Sequence, residues 1–547
     1  MRLHAKRWLF LLHRWAGIVL CAFFAMWFIS GVVMMYVGYP KLTAAERLAR
    51  LAPLAGAPAA TASPPGSSEA GPLLSPAQAL TRAGVSGPLS DLRLATASGG
   101  TVVYLATPAA SPAQPGARRA RAGPVAVVDA RTGTRLTAVD AQWALSSAAA
   151  FANATAPAGN PPALHHRGTV QEDAFTHSRA LDPHRPLHVV DVDDADQTRL
   201  YVSGHTGEVV RDASRTERLW NYAGAWIHWL YPFRGNMFDR YWADIVNWLS
   251  IAGIVVVLAG TAVGVLRWRF RTPYRSGART PYPGRMMRWH HISGLLFASV
   301  TLTWVFSGLM SMNPWRIFDS GAPPLESSAL QGSPLEIDHS LAHPDALLAA
   351  AGGDVRELRW VRLLGHTWVQ AQGANGAPIM MDAVTAQVRQ PDPDAIADAA
   401  RRLVNAPLVQ AERLVAYDFY YYTRDAHTMT GGTDKPLPAL RLKFGDAYAT
   451  WVTVDPHTGA VVQRSDRLRR TSRWLFALLH SWDWLPLLER RPVWDMLMIG
   501  LSAGGALLSM TAVVIGWRRV GLRFRRRQSA GAIAPPARAN RSAQRAT

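Results

Sequence analysis

Cysteine is nearly absent. Cys21 is the only one in 547 residues, so an internal disulfide and a cysteine-held metal site are both excluded. No Gly-rich phosphate loop, dinucleotide fingerprint or nucleophile–base triad occurs, which removes the classes of chemistry that those motifs carry. Acidic residues are missing from three segments in particular. Residues 1–8, 267–291 and 518–547 contain no Asp or Glu, yet carry three, seven and nine Lys/Arg respectively.

Four long apolar runs are present, at 9–37, 245–266, 292–312 and 496–517. Each is long enough, at roughly 20 residues, to cross a hydrocarbon core of about 30 Å. They are apolar nearly all round, whereas the surface helix of a soluble protein carries one polar face. The net charge of +20 and pI near 10.7 resemble a nucleic-acid binder, but the basic residues crowd beside the apolar runs. By the positive-inside rule those three segments are cytoplasmic, with contact to anionic membrane lipid and no nucleic-acid role. The chain then reads as a multi-pass bacterial inner-membrane protein with both termini cytoplasmic. The connections 38–244 and 313–495 lie on the periplasmic side. The first run is about twice the length of a signal-peptide core and no small-residue cleavage site follows it closely, so it reads as a retained helix.

Comparison of the two halves shows an internal repeat. His13, Gly17, Trp27 and Ser30-Gly31 match His290, Gly294, Trp304 and Ser307-Gly308 at a constant offset of 277. At an offset of 252, His205-Thr-Gly207 matches His457-Thr-Gly459, Arg218 matches Arg470 and His228 matches His480. Trp242 matches Trp494, Gly253 matches Gly505 and Gly264 matches Gly516 at the same offset. Both copies run helix, external region, helix, in the same orientation, so the repeat axis is expected along the membrane normal. Alternating runs ending in turns, at Val127–Gly133, Leu200–Gly207, Ile379–Thr385 and Thr450–Gly459, predict strands. Each external region is therefore expected to carry two small α/β units, with helices such as the one after Ser75 preceding the strands. Ala/Pro/Gly/Ser-rich stretches at 52–72, 106–124 and 154–163 read as linkers. The tail beyond Gln528 reads as disordered.

Leu12-His13-Arg14-Trp15-Ala16-Gly17, the Trp-x-x-Ser-Gly helix ends, the Asp-x-x-Thr-Gly turns and Arg473–His480 resemble the PepSY-associated transmembrane family over nearly the whole chain. The resemblance implies an α+β membrane protein. Its four-helix transmembrane bundle would come from a tandem duplication, with two periplasmic regions of PepSY-like α/β units. It also implies haem b, two per chain, and reduction of a periplasmic ferric siderophore. Two other readings stay open: a membrane-anchored PepSY binding or regulatory module without enzymatic activity, and a cytochrome b-type subunit for another periplasmic redox partner.

Haem between membrane helices needs axial ligands, usually His. At 100° per residue, His13, Gly17, Trp27 and Gly31 share one face of the first helix, and His290, Gly294, Trp304 and Gly308 share that of the third. His13 and His290 are candidate ligands of one haem near the cytoplasm, with Gly17 and Gly294 leaving room for the ring. His228 and His480 are candidate ligands of a second haem near the periplasm. Trp27 and Trp304, about 21 Å along the helices from His13 and His290, could pack on it. The plainer readings are aromatic-belt anchoring for the two Trp, close helix packing for the Gly and interfacial hydrogen bonding for the His. Ionisable groups within spans are rare and usually functional, which favours ligation. His291 is the rival of His290. His177 and His427, at an offset of 250, and the pair His165/His166 are weaker candidates. The run Tyr420–Arg424 suits either an anionic chelate or strand packing. Residues 518–547 are too few for a flavin or nicotinamide domain, so the expected electron donor is separate: a membrane quinol or a cytoplasmic reductase.

Overall fold

The computed structural model describes residues 2–55, 71–109, 124–154 and 160–531, apart from 426, 429, 430 and 433. The linkers expected at 52–72, 106–124 and 154–163, and the tail beyond Gln528, fall largely outside the described residues.

In chain order the helices that matter are α1 (Arg2–Tyr36), α2 (Pro76–Arg82), α3 (Ala141–Asn153), α4 (Trp242–Arg267), α5 (Arg285–Leu296), α6 (Ala298–Ser311), α7 (Pro344–Ala351), α8 (Pro393–Ala400) and α9 (Arg491–Gly531). The strands of the first half are β1 (Leu89–Ser98), β2 (Thr101–Pro108), β3 (Ala126–Asp129), β4 (Leu164–Val170), β5 (Leu187–Val192), β6 (Arg199–Ser203) and β7 (Val209–Ala213). Those of the second are β8 (Val355–Leu363), β9 (His366–Gly373), β10 (Ile379–Asp382), β11 (Leu408–Leu414), β12 (Ala439–Phe444), β13 (Trp451–Val454) and β14 (Val461–Ser465).

Two compact units result. The first contains Met1–Val32, Ala243–Pro314 and Leu475–Thr547. Helices α1, α4 and α9 are each long and apolar enough to cross a membrane, and α5 with α6 makes a fourth if that bent pair counts as one span. The break at Phe297 bends the pair by 66°, where the sequence predicts one helix over 292–312. The adjacent Ser293-Gly294 pair supplies a cause. Gly294 has no side chain to stiffen the turn, and Ser293 Oγ donates back to Trp289 O at 2.7 Å, a bond that bends helices. Leu20, Phe24, Val256 and Val305 form a buried cluster joining α1, α4 and α6. Close approach there needs glycine: a β-carbon on Gly505 would sit 2.2 Å from the Phe28 ring, and one on Gly253 would sit 3.2 Å from Phe24. Small residues that let large rings reach a neighbouring backbone are the usual means of packing helices in lipid, where no hydrophobic drive holds them together.

The second unit contains Val33–Trp242 and Trp315–Trp474, so the two long connections fold as one body. Ser75 caps α2: its hydroxyl accepts from Gln78 N while the Gln78 side chain accepts from Ser75 N, a reciprocal capping box. Asp140 and Asp392 cap α3 and α8 through their carboxylates. Each half is expected to carry two small α/β units; among the described residues the strands form three sheets. Strands β4–β7 and β11–β14 are each a four-stranded antiparallel meander. The other six make one sheet of order β10-β9-β8-β1-β2-β3, because β1 and β8 pair antiparallel from Leu92↔Trp360 to Ala95↔Glu357. An unpaired edge invites association, and this pairing closes two edges at once. Trp360, Tyr104, Leu92, Leu94 and Leu358 are buried in its core.

Local details recur at the offset of 252. Residues 222–226 and 474–478 are both π-helical. Leu230 and Trp482 both adopt left-handed backbone. Trp242 Nε1 donates to Trp229 O at 2.7 Å, and Trp494 Nε1 donates to Ser481 O at 3.0 Å. Arg218 bonds the carbonyls of Gln197 and Ala213, and Arg470 those of Ala449 and Ser465.

Candidate functional site

His13 on α1 and His290 on α5 lie side by side within the first unit. Their ring centroids are 6.2 Å apart and the ring planes are inclined by 25°. Helix α9 orients His290, whose Nδ1 is 3.3 Å from Leu508 O and 3.2 Å from Thr511 Oγ1. A carbonyl only accepts, so this arrangement assigns the proton to Nδ1 and leaves the Nε2 lone pair for a ligand. The backbone of Val256, the residue 252 before Leu508, lies beside the His13 ring, and His13 Nδ1 is buried without a partner. Gly260 makes room for this ring: a β-carbon there would lie 2.6 Å from His13 Cε1.

The rival His291 is committed elsewhere. Its Nε2 donates to Gly264 O at 2.9 Å and its Nδ1 accepts from Thr280 Oγ1 at 2.7 Å, with Trp268 and Tyr282 edge-on to the ring. A β-carbon on Gly17 would meet only Val256 Cγ1 at 4.0 Å and one on Gly294 only Leu508 Cδ1 at 3.5 Å, so neither glycine is required for packing against α4 or α9.

His480 also belongs to the first unit. Its Nδ1 lies 3.0 Å from Ser307 Oγ. That hydroxyl spends its proton on Trp304 O at 3.1 Å, so it accepts from the imidazole. Trp304 stands 5.7 Å from Phe28 between ring centroids, and its Nε1 is buried without a partner. Trp27 packs with Phe23 and Phe24. His228 falls in the second unit, in the turn of helix after the π segment.

Most of the weaker candidates are engaged in structural contacts. His177 pairs with Glu172 and packs 4.4 Å from Tyr231. His427 pairs with Glu46. His166 Nε2 bonds His188 Nδ1 at 3.0 Å, a partner that the motif reading did not single out, while His165 is exposed on β4. In the run Tyr420–Arg424, Tyr420 OH accepts from Trp474 Nε1, Tyr422 OH accepts from Arg473, and Tyr421 is buried.

Among the described residues no group of three or more His, Cys, Asp or Glu is arranged to hold a bare metal ion. Haem iron makes no such demand, since the macrocycle supplies four ligands and the protein supplies axial ones. An imidazole bound at about 2.0–2.1 Å puts its centroid about 3 Å from the metal, so two on opposite sides stand about 6 Å apart. The His13–His290 separation matches that figure. The orphaned Nδ1 of His13 and the space at Gly260 also suit a ligating ring.

The fold and site together define a membrane protein in which apolar helices carry paired histidines and an α/β unit fills the long connections. The chain belongs to the family of the PepSY-associated TM region, whose model matches residues 10–374. No curated protein matches it.

Proposed function

We propose that this protein is an inner-membrane, haem-containing reductase that passes electrons outward to a periplasmic ferric siderophore or related ferric chelate. The observation that carries this reading is the His13–His290 pair: two imidazoles 6.2 Å apart among apolar helices, where an ionisable residue is costly unless it has work to do. The matched hydrogen bonds and π segments at an offset of 252 support a tandem duplication and a bundle of four spans, with α5 and α6 together as the third. The basic segments 1–8, 267–291 and 518–547 support cytoplasmic termini.

His13 and His290 would hold one haem b. His480, in the same unit, is proposed as a ligand of a second. Bound haem supplies one-electron transfer, and one electron converts Fe(III) in the chelate to Fe(II), which siderophores hold far more weakly. The chain's own residues do the rest. Leu508 O accepts from His290 Nδ1–H and Ser307 Oγ from His480 Nδ1–H, which fixes each tautomer and raises the basicity of Nε2. Leu20, Phe24, Val256 and Val305 hold α1, α4 and α6 together.

A second reading, a non-enzymatic PepSY binding module, rests on the family and needs no membrane histidine. The absorption spectrum of the purified protein, expressed with adequate haem, separates the two. A Soret band and reduction of a ferric chelate by the pre-reduced protein are expected; a haem-free spectrum would overturn the redox reading.

A further inference from the structure

The last residues of the second unit before α4 form a loop whose apolar side chains stand in the open. Met237 is exposed by 80%, and Phe238 and Tyr241 by 45% each. Single exposed apolar residues are ordinary on a soluble surface, but three of this size within five positions mark a contact. Phe238 keeps one edge on Phe233, with ring centroids 6.0 Å apart and planes at 83°.

The loop is braced to hold that presentation. Arg234 lies over the rings of Tyr231 and Trp242, at 5.6 and 4.9 Å from their centroids. It also pairs with Glu172 at 3.4 Å and Asp239 at 3.5 Å. Asn236 Nδ2 donates to Pro232 O at 2.7 Å, and Asn236 Oδ1 accepts from Phe238 N at 2.9 Å. Gly235 N donates to the Asp239 carboxylate at 3.1 Å, Asp239 N to Asn236 O at 2.9 Å and Tyr241 N to Phe238 O at 2.8 Å. The backbone N–H groups of 235, 238, 239 and 241 are thus satisfied inside the loop, which lowers the cost of bringing a non-helical backbone up to lipid.

Position in the chain supplies the partner. Met237 stands five residues before Trp242, the first residue of α4, and α4 is long and apolar enough to cross a membrane. Five residues reach at most about 18 Å, so the loop tip stays close to the membrane surface. The other connection starts in the same way: Trp315 and Ile317, exposed by 63% and 47%, follow within six residues of the end of α6.

We infer that the loop is an interfacial anchor. Met237 and Phe238 enter the leaflet that adjoins this end of α4, and Tyr241 sits at headgroup level, where its ring is apolar and its hydroxyl stays wet. Arg240, exposed and stacked over Tyr241 at 4.5 Å, meets a lipid phosphate. The inference rests on α4 spanning the membrane and is independent of the redox function proposed above.

The test uses the full chain with Cys21→Ala, in nanodiscs of phosphatidylcholine, carrying a nitroxide at Met237→Cys or, in a second preparation, at Phe238→Cys. Val19→Cys, exposed by 67% on α1, is the lipid reference, and Val415→Cys, exposed by 74% in the second unit, is the aqueous one. Power-saturation spectra compare collision with oxygen, which concentrates in lipid, and with a nickel chelate, which stays in water. At both loop sites the oxygen-to-nickel ratio is expected at least fivefold above that at Val415→Cys, as for a side chain about 5–10 Å inside the boundary of headgroups and acyl chains. Arg240→Glu should lower the ratio at least twofold; an unchanged ratio refutes the phosphate contact. A loop ratio equal to that at Val415→Cys places the loop in water. A label shielded from both reagents shows that protein covers it, and either of these results overturns the inference.

Discussion

Gly260 and His13 occupy adjoining space with nothing to spare. A β-carbon on Gly260 would stand 2.6 Å from Cε1 and 2.9 Å from Nδ1 of the imidazole, well inside van der Waals contact. Gly260→Ala must therefore push His13 off its present position, and a shift of about 1 Å is enough to spoil a ligand geometry. The expected result is a fall from two haems per chain to one, measured by pyridine haemochrome against protein concentration. Gly17→Ala is the control. Its new methyl would meet only Val256 Cγ1 at 4.0 Å and should leave both haems. A full complement in Gly260→Ala would remove His13 from the ligand set.

Ser307 gives the second prediction. Its hydroxyl accepts from His480 Nδ1–H, beside the Trp304 backbone that also bonds the ring, and without it the ring loses one of the partners that hold its tautomer. Outer-shell partners of ligating histidines are typically worth about 10–100-fold in affinity. Ser307→Ala should weaken one haem by that amount in a haem titration, with Ser307→Thr restoring it. If the alanine variant binds both haems as tightly as the parent, His480 has another task.

Periodicity and repeats reveal some of this arrangement and not the rest. The offset of 277 pairs His13 with His290, the same two rings that the fold sets beside one another, because identical helix registers bring equivalent faces inward. His291 carries no sequence mark of its tie to Thr280 and Gly264; only the path of the loop after α4 provides that. The union of β1 with β8 was likewise hidden. Edge pairing between strands more than 250 residues apart depends on where each half places its sheet, and a strand pattern says only that an edge exists. The π segments at 222–226 and 474–478 lie between the recurring Arg218/Arg470 and Trp242/Trp494 positions, yet helical periodicity does not distinguish a π turn from an α turn over five residues.

Asp212 makes the stability of the second unit depend on pH. Burial, with Glu217 and Glu46 nearby and Arg50 and a backbone hydrogen bond opposing, pushes its carboxyl up to about 6. An unfolded Asp titrates near 3.9. Between those values the folded state binds the extra proton, so this group's contribution is favourable at low pH and is lost as pH rises through about 6. At roughly 1.4 kcal/mol per unit the cost at pH 7 is about 2–3 kcal/mol. Asp212→Asn should raise the thermal midpoint at pH 7.5 and change it little at pH 4.5, followed by circular dichroism of the full chain. Equal shifts at both values would show that the carboxylate is relieved by solvent.

Arg93 on β1 joins three parts of the second unit. It lies 3.1 Å from Glu208 and 3.4 Å from Glu357, two carboxylates exposed by only 6% and 2%, and Arg47 completes the set at 2.8 Å from Glu357. Glu357 is on β8, so the network lies along the seam where the two halves of the six-stranded sheet meet. Removing one partner of a buried pair strands the other charge, at a cost of about 3–5 kcal/mol. Arg93→Met should lower the stability of this unit by that amount in urea denaturation. Glu208→Gln, which removes the charge but keeps the shape and an acceptor, should cost about 1–2 kcal/mol. The decisive measurement is the double variant. If the loss in Arg93→Met comes from the uncompensated Glu208 carboxylate, Arg93→Met with Glu208→Gln recovers part of it. A double variant no better than the sum of the two single changes would place the effect of Arg93 in packing of its aliphatic stem.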